Sequence, residues 1–268
     1  MKPRTARFHL ILCGIAAALL GTSCAEPYLG VKLPFVATWG GEPIRCDDAG
    51  IALTDLRFFV SSIELLDSGG RSHPMALSRD LQWQQPALAL IDLENGQGTC
   101  RNGTPEAYEY LVGSLPPGDY KGLRFVVGVP FEQNHSNPLE AVAPLDDPAM
   151  HWHWRSGYKF LRAGVEKGDD GFWLHVGSAG CKGTVRNISA CRFPNRVAVE
   201  LADFVPVRDA IAVDLKALFD GVDLSDGVPG DCSSGPAEVS CVAPFASLGI
   251  DFESGEREGR QRVFSVLQ

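Results

Sequence analysis

Across residues 121–129 the chain alternates, with Leu123, Phe125, Val127 and Val129 on one side and Arg124 and Gly128 on the other. A period of two is what a strand with one buried face requires, because successive side chains point to opposite sides. Strand-like patterning recurs over residues 33–38, 55–66, 88–92, 197–204 and 262–267. Between these runs lie turn-forming clusters: Ser68-Gly69-Gly70, Pro116-Pro117-Gly118-Asp119, Lys167-Gly168-Asp169-Asp170-Gly171 and Asp226-Gly227-Val228-Pro229-Gly230. Only residues 210–219, with Ile211, Leu215 and Leu218 at near-helical spacing, read as helix. Many short strands without alternating helices predict an all-β fold, an antiparallel β-sandwich with one short helix. The connections at 134–148 and 221–241 exceed ordinary loop lengths, which marks them as functional or pinned by disulfides.

The first 24 residues read as an export segment, not as part of the fold. Lys2, Arg4 and Arg7 form a basic start, and the apolar run over residues 8–20 is short for a permanent membrane span. Two processing outcomes fit the end of this segment. Cys24 becomes the lipidated first residue of a lipoprotein, although Leu20 lies one place further upstream than such sites usually have it, or cleavage follows Ser23-Cys24-Ala25. Either places the protein in the periplasm or at the cell surface, with an outer-membrane lipid anchor in the first case. Residues 25–268 are read as one domain. Removing residues 1–23 takes the formal net charge from −9 to −12, which disfavours nucleic acid and anionic membrane as partners.

Beyond Cys13 and Cys24 there are six cysteines, Cys46, Cys100, Cys181, Cys191, Cys232 and Cys241. An even number in an exported chain points to a disulfide framework. Short separations favour Cys181–Cys191 and Cys232–Cys241, which leaves Cys46–Cys100, although other pairings satisfy the same count. No Cys-x-x-Cys spacing supports a thiolate metal site.

Four of the six histidines and three of the five tryptophans lie between His135 and His175. Imidazole is the commonest protein ligand for metals such as copper and zinc, so this concentration is a metal-site candidate. The plainer use of the same residues is to fill a half-buried sheet. If residues 172–176 form a strand, Trp173 and His175 share a face. In His151-Trp152-His153-Trp154 the two histidines share one face and the two indoles the other. His73, in Ser72-His73-Pro74, reads as part of a turn away from the cluster.

Several ordered motifs carry a resemblance. They include Thr54-Asp55-Leu56-Arg57-Phe58-Phe59-Val60, Trp83-Gln84, Gly98-Thr99-Cys100-Arg101-Asn102-Gly103-Thr104 and Gly118-Asp119-Tyr120-Lys121-Gly122-Leu123-Arg124-Phe125. More specific are Gly128-Val129-Pro130-Phe131-Glu132-Gln133-Asn134-His135, Trp152-x-Trp154-Arg155-Ser156-Gly157-Tyr158-Lys159-Phe160 and His175-Val176-Gly177-Ser178-Ala179-Gly180-Cys181. Through these the chain resembles the metallo-mystery pair four-Cys motif family, the MbnP-like proteins, along nearly its whole mature length. The resemblance implies an exported copper-binding protein acting beside a MauG-like di-haem cytochrome, which oxidises a tryptophan of the copper site to kynurenine. It implies His135 and His175 as ligands and Trp152 or Trp154 as the kynurenine precursor, with Trp173 as packing. His151 and His153 depart from the family pattern, either as added ligands or as a surface strand face. Ser233 stands where relatives often carry methionine, which bears on affinity for Cu(I).

The expected role is copper capture or storage without turnover. The alternatives are a copper redox or electron-transfer enzyme paired with the di-haem protein, and a metal-free sandwich binding sugar or protein through its aromatics.

Overall fold

The structure, a computed structural model, describes residues 28–80, 82–185, 187–224 and 230–268. The export segment with Cys24, and all but the last residue of the expected turn at 226–230, lie outside the described residues. Two sheets carry the fold. The first runs, in spatial order, Phe264–Leu267, Ala210–Asp214, Leu29–Trp39, Tyr110–Leu115 and Ala76–Leu77. The second runs Val197–Ala202, Tyr120–Val127, Ala52–Asp67, Gly157–Lys167, Asp170–Gly177 and Gly230–Cys232. Shorter strands attach to it, including Leu88–Asp92 against Ala52–Asp67 and His151–His153 against Gly157–Lys167. A two-stranded ribbon, Ala179–Thr184 with Asn187–Phe193, belongs to neither sheet.

Among the described residues pairing is mostly antiparallel, with two parallel contacts: Leu29–Trp39 with Ala210–Asp214, and Asp170–Gly177 with Gly230–Cys232. The first of these replaces the N-terminal half of the helix expected over residues 210–219. Ala210–Asp214 fills the slot between Leu29–Trp39 and Phe264–Leu267, and both neighbours use its backbone groups. Ile211, Ala212 and Val213 are buried there. Pairing on both edges outweighs helical spacing in a segment this short. Helix begins only at Leu215–Leu218, where the Asp214 carboxylate accepts from the Lys216 N–H at 3.0 Å. Phe131–Asn134 and Val242–Ser247 are further one- to two-turn helices.

Apolar faces of the two sheets meet in one large core. Phe35 of the first sheet packs edge-on against Phe58 and Phe125 of the second, at 5.4 and 5.9 Å between ring centres. Phe264 closes the group against the same two rings, at 5.6 Å each. Edge-to-face contacts of this kind contribute about 0.5–1.5 kcal/mol each beyond area burial. A second, smaller core lies on the opposite face of the second sheet. Phe59, Leu88, Leu90, Val129, Tyr158 and Phe160 are covered there by Leu145 and Met150 from the long 134–150 connection. That connection is therefore anchored to the outer face of the sheet, next to His151.

The disulfides are Cys46–Cys100, Cys181–Cys191 and Cys232–Cys241. Cys181 and Cys191 are directly opposite one another in the two-stranded ribbon.

Candidate metal centre

Alternation along Asp170–Gly177 sends Phe172, Leu174 and Val176 into the main core and leaves Trp173 and His175 on the outer face. Register then builds a row across four strands. His175 stands opposite Arg162, Arg162 opposite Arg57, and Arg57 opposite Asp92. Asp55 neutralises much of the row. It accepts from Arg57 Nε and Nη2 at 3.0 Å each, and lies 2.5 Å from Arg162 Nη2. Arg57 is fully buried. Lys159 Nζ and Arg162 Nη1 both donate to the Ala149 carbonyl, at 2.9 and 3.2 Å. Two cations thus hold the chain just before it enters His151–His153.

Burial and this charge arrangement together act on His175. Burial, then the Arg162 and Lys159 charges, push its pKa down to about 4. The imidazole is neutral over the physiological range, the form in which a histidine binds metal.

His151–His153 pairs with the start of Gly157–Lys167, His151 opposite Tyr158 and His153 opposite Gly157. The His151 ring packs on Tyr158 at 5.3 Å, and burial, Lys159 and His153 lower its pKa. Trp152 points the other way and lies over Gly177, where an added Cβ would sit 3.1 Å from the indole and 2.8 Å from the Tyr158 carbonyl oxygen. The missing side chain is what lets Trp152 come down onto the strand, with its ring 6.2 Å from that of His175. His153 is exposed, and its Nδ1 accepts from the Arg155 N–H at 3.3 Å.

The expected alternation through Trp154 does not hold. The strand ends at His153, and Trp154 sits in the following turn. Its ring tilts against His153 at 5.4 Å and lies 4.9 Å from the Arg155 guanidinium. The reason is Gly157, whose φ of +81° turns the chain back early. Trp173 shares the outer face with His175, its indole lying over Gly164 and Gly171.

His135 follows the single-turn helix Phe131–Asn134. Asn134 ties this helix to the hairpin: its Nδ2 donates to the Ser156 carbonyl at 3.0 Å, and its Oδ1 accepts from the Tyr158 N–H at 2.8 Å. Gly157 is indispensable here, since a Cβ would collide with Asn134. His135 Nε2 lies 3.2 Å from Asn134 Nδ2 and 3.3 Å from Cys191 Sγ, while its Nδ1 is buried without a hydrogen-bond partner. Burial lowers its pKa. A buried, unpartnered imidazole nitrogen is costly unless something binds it, and a metal ion would. The contacts thus run from His135 through Asn134, Gly157, Tyr158 and Gly177 to Trp152 and His175.

Among the described residues, His175, His151 and His153 join no set of three His, Cys, Asp or Glu donor atoms lying within 4.8 Å of one another. The sets that do are His135 with Cys181 and Cys191, and Cys232 with Glu238 and Cys241; in both the sulfurs are bonded to each other. His73 lies elsewhere. It belongs to the short strand Ser72–Pro74, not a turn, because pairing with Glu64–Leu66 holds it extended, and its Nε2 is 3.0 Å from Asp67. Sequence reasoning missed Lys159, Arg162 and Asn134, whose roles depend on register and on a loop contact that periodicity does not encode.

The family model described as MbnP matches residues 29–234. Among solved structures the chain is similar to MbnP from Methylosinus trichosporium, with 27% identity and a TM-score of 0.77, covering 90% of this chain and 98% of that one. No curated protein sequence matches.

Proposed function

Since the chain belongs to the MbnP family, we propose that it is an exported copper-binding protein that captures or stores copper and performs no turnover. The observation that carries this reading is the seating of Trp152 on Gly177, with its ring 6.2 Å from a neutral His175. The unpartnered His135 Nδ1 on the neighbouring loop supplies a second imidazole donor. Of the two tryptophans in the motif, Trp152 is the kynurenine precursor, because Trp154 packs with His153 and Arg155 beyond the strand end.

The oxidation is assigned to a MauG-like di-haem partner. Oxidative cleavage of the C2–C3 bond of the Trp152 indole, with the partner taking the electrons, followed by hydrolytic loss of C2 as formate, would leave an aromatic amine and a ketone, nitrogen and oxygen donors where indole offers none. His135 and His175 hold the metal as neutral donors, Asn134 fixes the loop of the first, and Arg162 and Lys159 hold the strand that carries Trp152. Imidazole donors suit copper.

The test is to prepare the chain with and without its di-haem partner and to measure bound copper and the mass of each tryptophan-containing peptide. Copper bound only by protein whose Trp152 has been oxidised supports the reading. Absence of copper from both preparations overturns it and leaves a metal-free binding sandwich. Sustained oxidation of a substrate by the copper-loaded protein overturns the storage role in favour of a redox enzyme.

A further inference from the structure

We propose that reduction of the Cys181–Cys191 disulfide opens a second Cu(I) site made of the two thiolates and His135 Nε2. The three donor atoms already lie within 4.8 Å of one another, with His135 Nε2 3.3 Å from Cys191 Sγ. Ligands about 2.0–2.3 Å from a shared ion lie within roughly 4.6 Å of each other, so His135 Nε2 is already in range, and the two sulfurs, bonded in the disulfide, separate on reduction to admit the ion. Two thiolates and an imidazole form a soft, low-coordinate set, the chemistry that selects Cu(I) over harder ions.

The surroundings keep these donors together once the sulfur–sulfur bond is broken. Cys181 and Cys191 are register partners in a ribbon paired from Ala179 with Phe193 to Thr184 with Asn187, so backbone hydrogen bonds hold the two thiols opposite each other. His135 is held independently, through the Asn134 contacts to Ser156 and Tyr158. Access is selective as well. Cys46, Cys100, Cys181, Cys232 and Cys241 are buried, whereas Cys191 is half-exposed on a ribbon whose Lys182, Ser189, Ala190 and Arg192 face solvent. An attacking thiolate therefore reaches Cys191 Sγ first.

The reductant is a dithiol. One of its sulfurs attacks Cys191 Sγ and releases the Cys181 thiolate; its second sulfur then displaces Cys191 and leaves as a cyclic disulfide. Two electrons pass to the protein, and the two thiols give up their protons when Cu(I) binds. The site shares His135 with the function proposed above, through Nε2 rather than Nδ1, but uses neither His175 nor Trp152, so the His175→Ala chain, which lacks a ligand of the first site, separates the two readings.

The experiment is partial reduction of the purified chain with a limiting dithiol, mapping of alkylated cysteines by mass spectrometry, and anaerobic Cu(I) titration against a chromophoric Cu(I) chelator. The expected result is modification of Cys181 and Cys191 alone, together with one Cu(I) equivalent more than the oxidised chain binds. The His175→Ala variant keeps that extra equivalent, and the Cys181→Ser/Cys191→Ser double variant, which leaves no unpaired cysteine, loses it. His135→Ala weakens it by more than the about 10–100-fold that loss of an outer contact costs. Reduction of another disulfide first, equal stoichiometry before and after reduction, or an extra equivalent retained by the double variant overturns the proposal.

Discussion

At the scale of single residues, Trp152 and Trp154 are close in sequence but differ in surroundings, and this makes their variants diagnostic. On the proposed function, Trp152→Phe should abolish the oxidative mass change assigned to a di-haem partner and lower copper stoichiometry, while Trp154→Phe leaves both intact; tandem mass spectrometry and metal analysis of the co-produced protein decide. Asp92 carries a different expectation. Burial pushes its pKa up to about 7, against the Thr104 hydroxyl, which donates to it at 2.7 Å, and with Glu94 and Arg57 facing it. A carboxyl whose folded pKa is raised binds more protons folded than unfolded, so stability falls as pH rises from about 4 to 7. Asp92→Asn should flatten that part of the curve, measured by denaturant unfolding at several pH values. The neighbouring Arg57 is fully buried and paired with Asp55. Arg57→Met leaves Asp55, Asp92 and Glu94 short of a cation, and should cost about 3–5 kcal/mol in the same unfolding measurement.

At the scale of elements, the site depends on how the His151–Tyr158 hairpin lies on the strand Asp170–Gly177. Gly177 is the contact point. A methyl group there meets a backbone carbonyl and the Trp152 ring, so the hairpin must lift. Gly177→Ala should destabilise the fold by about 1–3 kcal/mol, as overpacking does. It should also reduce Trp152 oxidation more than the stability loss accounts for, a difference read by comparing peptide masses with the fraction folded. Hairpin and strand were legible separately, since Phe172 to Val176 alternate and the His151–Trp154 run suggested a strand. Their stacking was not, because a glycine carries no apolar signal. The segment 210–219 shows the converse. Ile211, Leu215 and Leu218 have helical spacing, yet the slot between two strands takes Ala210–Asp214 as strand.

At the scale of the whole molecule, the sandwich is a hydrophobic core pinned at its periphery. Cys46–Cys100 joins the loop before Ala52–Asp67 to the segment after Leu88–Asp92, and Cys100 is fully buried. Cys46→Ala/Cys100→Ala should cost about 2–5 kcal/mol, seen as a lowered thermal midpoint. Alternation of apolar residues was enough to assign the all-β class and the inward face of strands such as Tyr120–Val127, because burial of one sheet face imposes its period directly on the chain, and the concentration of His and Trp marked the segment from His135 to His175. Separations between cysteines pointed to Cys181–Cys191 and Cys232–Cys241 for a similar local reason, the smaller entropy of closing short loops, and left Cys46–Cys100 as the remainder. What residues far apart in sequence do to one another was decided only on folding. Strand register set Arg57, Arg162 and His175 in one row, a turn at Gly157 separated Trp154 from Trp152, and the Asn134 contacts brought His135 against Cys191. A two-residue slip in register would keep Arg57, Arg162 and His175 on the same face yet give each new partners, and no local pattern in the chain specifies that choice.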